Sequence, residues 1–255
     1  MTALKRVLAM LLFVNYEGRA VRAFTGVPSI SGTRSGWNPS ELAAELPNKF
    51  VQLEAPPAVD VPVYSLATLD ETSGDAVGAT DMNILTYASP VGIRPHRKWA
   101  LSLYRTTKTH ENFLKRGEGV LQLLRRKHSG LVYVLGGQSG RDVDKAGLCE
   151  GLGFKWGVEV EEGGALGCAG LQLLPGCAVY YKVVLDGDLI DAGDHDVAIV
   201  RIEAICEPEV LGEGEGKIDG ADKTEDNMHM YTGFLREKKI ISDKGRANPP
   251  EELEQ

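Results

Sequence analysis

From Val61 onward the chain is a succession of short apolar runs, Val61 to Leu69, Met82 to Ala88, Trp99 to Tyr104 and Gly119 to Leu124, cut apart by glycine, proline and aspartate. Runs of about 4 to 8 residues bounded by such turn formers read as strands. A further pair follows at Ala178 to Asp186 and His195 to Cys206, joined by the turn-rich stretch Gly187 to Asp194. Helices are predicted over Thr107 to Arg116, near Ser129 to Leu135, and over Arg141 to Leu152. The first has a threonine cap, Glu111 in its first turn, and Phe113 and Leu114 as its apolar face. Strands outnumber helices, and the helices interrupt them without a regular alternation. The pattern therefore predicts a mainly β fold, a β-barrel with helical insertions, over a doubly wound parallel sheet.

The chain has 255 residues, 43% of them hydrophobic, enough for one substantial core, and residues 47–245 read as one domain. A formal charge of -8 argues against a nucleic-acid partner, because neutralising phosphates needs a basic surface. The basic group Arg125-Arg126-Lys127 is local and reads as solvated. Cys149, Cys168, Cys177 and Cys206 form no Cys-x-x-Cys pair and stand near no histidine at zinc spacing, so no metal site is expected. Glu207 to Asp226, with Gly212-Glu213-Gly214-Glu215-Gly216 inside it, is expected to be a mobile acidic loop, one that could recruit a basic partner. A disordered tail is expected after Ile241, over residues 246–255 in particular.

At the other end, Lys5 and Arg6 precede the apolar run Val7 to Val14, and small residues follow at Ala20 to Ala23. That is the pattern of a signal peptide over residues 1–23, and the run is far below the roughly 20 residues of a membrane span. Residues 24–46 begin with Phe24, and Phe24 to Ser40 is rich in Ser, Thr and Gly, carries Arg34 and has no acid. The two segments together resemble the bipartite plastid presequence of algae with secondary plastids. The expectation is plastid delivery, with plain secretion as the alternative.

Three stretches carry candidate chemistry. Asn83-Ile84-Leu85-Thr86-Tyr87-Ala88-Ser89-Pro90 ends a strand in small and hydroxyl residues, which let a planar ligand lie against backbone amides and offer donors to it. In Leu103-Tyr104-Arg105-Thr106-Thr107-Lys108-Thr109-His110-Glu111-Asn112, hydroxyls and an ammonium gather at a helix start, where free amides and the helix dipole favour phosphate. Gly193-Asp194-His195 sets an imidazole in an acidic turn at the mouth of a strand. None of these makes a Ser/His/Asp order or a metal-binding helix.

The combination resembles the flavin reductase-like family, whose fold is the FMN-binding split barrel of Greek-key type. The resemblance runs from about Val61 to Ile241. It rests on Asn83 to Pro95, on Lys108-Thr109 before Glu111-Asn112-Phe113, on Gly140-Arg141-Asp142-Val143-Asp144-Lys145, on Gly193-Asp194-His195, and on the ending Tyr231 to Lys238. It departs from many members at Gly92, where they carry a serine. The resemblance implies FMN held by Asn83, Thr86, Tyr87, Ala88, Ser89 and Tyr104, with Thr107, Lys108, Thr109 and Asn112 on the phosphate side. His195 is implied as the catalytic positioning residue, and with Asp194 as the nucleotide side. It further implies NADH or NADPH as co-substrate, a homodimer, and hydride transfer from nicotinamide to FMN. The alternative is a non-catalytic FMN-binding or electron-transfer protein.

Overall fold

The computed structural model describes residues 57–70, 79–159, 166–167, 170–208 and 225–250. The presequence pattern and the centre of the acidic stretch lie outside the described residues. Strand β1 (Tyr64–Asp70) pairs antiparallel with β2 (Ala79–Leu85) on one side and β5 (Glu118–Leu123) on the other. β5 pairs with β8 (Val179–Leu185), β8 with β10 (His195–Cys206), β10 with β4 (Lys98–Tyr104), and β4 with β3 (Ala88–Gly92). A short strand, β9 (Ile190–Ala192), adds to β10 within the stretch read as a turn, completing an 8-stranded antiparallel sheet, while β6 (Val158–Glu159) and β7 (Gln172–Leu173) form a separate 2-stranded sheet.

The order β2, β1, β5, β8, β10, β4, β3 puts β2 and β3 at opposite edges. Yet only Thr86 and Tyr87 join them in the chain, so the two edges lie at most about 11 Å apart there. The sheet must curl almost into a cylinder, with its split at the Thr86-Tyr87 link. The link is fastened by the Ser102 N–H, which donates to the Tyr87 carbonyl at 2.9 Å.

Side-chain alternation sorts the apolar residues into two cores. Tyr64 and Leu66 of β1 join Leu85, Leu101, Leu103, Leu121, Leu123, Val183, Ala198 and Val200 inside the curl. Ala67 and Leu69 point the other way, into a second core with Met82, Val120, Leu131, Leu135, Trp156 and Leu173. β1 is therefore buried along its whole length. Helix α1 (Lys108–Arg116) plugs the inner core with Phe113, which is fully buried.

Most predicted elements fall within a few residues of observed ones. Three expectations are corrected. Ala88–Gly92 is a strand although it contains Pro90, because β3 is an edge strand and one missing N–H costs it little. Residues 126–131 form a 3₁₀ turn followed by a π turn at Tyr133–Gly137 in place of a regular helix, and α2 is confined to Lys145–Gly151 behind an Asp144 cap. Leu114 is exposed, since its neighbour Phe113 takes the one inward direction available on that turn of α1.

The tail expectation is also corrected over 242–250. Ile241 bridges to Ala247, and the Asn248 side chain donates to the Lys239 carbonyl at 2.6 Å, after the helix α3 (Thr232–Glu237). Among the described residues no helix is long and apolar enough to cross a membrane.

Candidate functional site

The split of the barrel opens into a cavity of about 100 Å³. Its walls come from four places that the topology brings together: the end of β2 with the Thr86-Tyr87 link, the end of β4, the first turn of α1, and the first residue of β10. Leu66, Leu85 and Leu103 form an apolar floor shared with the inner core. Asn83, Thr86, Ser102 and Tyr104 supply polar groups to the wall.

The first turn of α1 is built as an anion end. The Thr107 hydroxyl accepts from the His110 N–H at 3.2 Å and donates to the Tyr104 carbonyl at 2.9 Å, so it is committed to capping. The backbone N–H groups of Lys108 and Thr109 have no acceptor among the described residues. They are the open donors that a helix start offers to a phosphate.

A buried carboxylate fixes this turn to the sheet. Asp81 on β2 accepts from the Thr109 hydroxyl at 2.6 Å. Gly140, in the Gly140-Arg141-Asp142 turn, packs so closely on the same carboxylate that a Cβ would collide with its Oδ1. Arg141 then reaches over α1, donating to the Thr106 carbonyl at 2.6 Å and to Glu111 at 2.9 Å. Lys145 buries its ammonium against the carbonyls of Met82 and Leu135 at 2.8 and 3.0 Å, and desolvation pulls its pKa down. Gly140→Ala is expected to cost about 1–3 kcal/mol through overpacking. A lower urea midpoint, together with weaker ligand retention at the displaced Thr109, would show it.

His195 stands where a two-residue turn ends. Ala192 pairs with His195 across Gly193-Asp194, and Gly193 has φ 83°, the positive value that such a hairpin turn requires. The His195 Nδ1 lies 2.7 Å from Asp194 Oδ1, and that hydrogen bond holds the Asp194 carboxyl below its usual range. The ring sits between Tyr104 and Tyr87, with centroids 5.2 and 6.0 Å away, making an aromatic rim.

Of the residues predicted from sequence, Asn83, Thr86, Tyr87, Tyr104, Thr107, Thr109 and His195 are on the cavity wall. Five are not. Lys108 forms a 2.7 Å ion pair with the buried Asp70, so it brings its backbone N–H and no free ammonium. Asn112 is buried, with its amide 3.4 Å from the Thr68 hydroxyl, and serves packing. Ala88 and Ser89 are consumed in β3 pairing with Leu101 and Ala100. Asp194 acts through His195. Sequence reasoning missed Ser102 and offered His110 only as a phosphate-side residue, without its carboxylate partner. The period-2 alternation of β4 was the only signal for the first, and the second depends on a partner 86 positions away.

Fold and site together define a split barrel whose ligand cavity opens at the split, with an anion end at α1 and an aromatic rim at β10. The Flavin reductase like domain family matches residues 58–218, more than half of the chain, and the chain belongs to that family. It is a flavin-handling oxidoreductase. Flavoredoxin of Desulfovibrio vulgaris (Miyazaki F) shares the fold at TM-score 0.50 and 16% identity, over 80% of this chain and 85% of that one. An FMN-binding protein from Thermus thermophilus gives TM-score 0.47 and 20% identity over 64% and 83%. The styrene monooxygenase flavin reductase from Pseudomonas putida S12 gives 0.45 and 16% over 59% and 81%. No curated protein matches the sequence.

Proposed function

We propose that this protein binds FMN in the split cavity and reduces it with NADH or NADPH. The observation that carries the reading is the joining, in one cavity, of an apolar floor and a wall of hydroxyl and amide groups, with a helix start whose Thr109 lines that wall and whose first two amides are open. When bound, FMN supplies the hydride-accepting ring system. The Lys108 and Thr109 amides would hold its phosphate, and Asn83, Thr86 and Ser102 would hydrogen-bond its polar edges. The floor of Leu66, Leu85 and Leu103 excludes water from the buried side. His195, held by Asp194, would orient the nicotinamide at the rim beside Tyr87 and Tyr104.

A volume of about 100 Å³ is below the roughly 300 Å³ at which small-molecule sites begin, so one chain covers part of such a ligand. Tyr87, Val91 and Ile93 are exposed along the β3 edge that borders the split. Both observations support a homodimer that completes the site. The presequence pattern supports delivery to a plastid.

The test is the absorbance spectrum of the purified protein, before and after anaerobic NAD(P)H. A flavin spectrum that bleaches supports a reductase. A flavin spectrum that persists makes the protein a flavin carrier or electron-transfer protein, and a colourless protein that gains no flavin ends the reading. His195→Ala is expected to lower turnover about a hundredfold by misorienting the reactants, while flavin retention changes little. Equal loss of both would make His195 structural.

A further inference from the structure

Two histidines share the cavity wall, and only His195 has been given a role above. His110 is 8% exposed, and its Nε2 lies 2.9 Å from Asp196 Oδ2. The other oxygen, Oδ1, accepts two N–H bonds from Arg105, at 3.0 and 2.6 Å. Arg105 is itself anchored by Asp191 at 3.0 Å and by its backbone N–H on the Asp194 carbonyl at 3.2 Å. The guanidinium and the imidazole hold Asp196 below the usual carboxylate range, so it remains an acceptor and Nε2 carries the hydrogen. Nδ1 is left over, with no hydrogen-bond partner among the described residues. An imidazole with one nitrogen fixed by a carboxylate and the other uncommitted on a ligand cavity has the form of a general acid.

We propose that His110 donates the proton consumed in the reduction carried out in this cavity, with Asp196 as its positioning residue. The inference rests on the FMN reductase reading above. The overall reaction is NAD(P)H + FMN + H⁺ → NAD(P)⁺ + FMNH₂. The dihydronicotinamide C4–H bond breaks, its hydrogen and both electrons pass to the flavin ring, and one proton must be added. His110 Nδ1–H gives that proton. It is left as a neutral ring with Nε2–H on Asp196, and takes a proton back from water at the cavity mouth. The charged and titratable groups around it are Asp196 and His195 on β10, Tyr104 and Arg105 at the end of β4, Tyr87 on the link, and Lys108 and Glu111 on its own helix.

The test combines rapid-mixing flavin reduction in H₂O and D₂O with NMR of ¹⁵N-histidine-labelled wild-type protein. In the wild type, reduction should slow in D₂O, and the His110 Nε2 should carry a hydrogen bonded to Asp196. His110→Gln should retain flavin within about twofold, slow reduction about a hundredfold, and lose the D₂O effect. Asp196→Asn should keep a D₂O effect and move the alkaline fall of the rate profile to lower pH. A His110→Gln variant with the wild-type profile and D₂O effect overturns the proposal. So does a His110 ring whose Nε2 carries no hydrogen, a measurement that needs no variant to fold. A wild type that binds flavin and is not reduced by NAD(P)H overturns the reductase reading as well, which separates the two failures.

Discussion

Phe113→Ala is expected to destabilise the protein by about 3–5 kcal/mol and to abolish flavin retention at temperatures where the rest of the sheet is still folded. The side chain is fully buried at the centre of the inner core, among residues drawn from six strands. It is also the one large apolar group by which α1 holds to the barrel, because Leu114 faces solvent and the other buried positions of the helix are Thr109, His110 and Asn112. Removing the ring leaves a cavity beside Leu66, Leu85 and Leu103, which form the floor of the ligand site. The loss is a large share of the roughly 5–15 kcal/mol by which a domain is stable. Urea denaturation followed by circular dichroism reads the first effect, and flavin absorbance after gel filtration reads the second. Phe113→Leu keeps most of the apolar fill, and a cost of roughly 1 kcal/mol is expected. An alanine variant that lost less than that would show that α1 is held by its polar contacts.

Stability is expected to fall steeply between pH 6.5 and 5, through His128. This ring is fully buried in the 3₁₀ turn at Arg126–Leu131, where Nδ1 accepts from the Arg125 N–H at 3.0 Å and Nε2 donates to the Pro175 carbonyl at 3.0 Å. Both bonds suit the neutral ring, and burial pushes its pKa down from 6.5 to about 4. Below pH 6.5 the unfolded chain therefore binds a proton that the folded chain refuses. Stability is complete above pH 6.5, declines as pH falls, and levels off near pH 4. The full loss is roughly 3 kcal/mol, at 1.36 kcal/mol for each pH unit. The carboxylates held low by cation or imidazole partners, Asp186, Asp194, Asp196 and Glu203, act in the more acidic range. Urea midpoints at pH 7, 6 and 5 therefore isolate the histidine, and His128→Gln should flatten the slope. A wild-type midpoint unchanged from pH 7 to 5 would refute the assignment.

The same division between local and distant causes decides which site residues could be read in advance. Thr107 was visible as a cap, and Gly193-Asp194-His195 as a turn before a strand, because each acts within three or four residues of itself. Thr109 was visible as part of the hydroxyl group at the helix start. The ion pair of Lys108 was not legible, because its partner, Asp70, is distant in sequence and lies on a strand. The sequence offers His110 only as a phosphate-side residue, because Asp196 and Arg105 reach it only after β10 has paired with β4.

By itself, the sequence determined the long strands, the capped helix α1 and the family, since these follow from side-chain period, cap chemistry and short motifs that act over a few residues. Tertiary structure alone decided that the sheet curls, because a two-residue link has to join strands at opposite edges. It also made a strand of Ala88–Gly92, whose place at an edge spares Pro90 from needing a partner. And it chose which polar groups stay open to a ligand and which are spent on one another. Charge and hydrogen-bond capacity belong to a residue, but whether they are available depends on what the fold sets within about 3 Å of them.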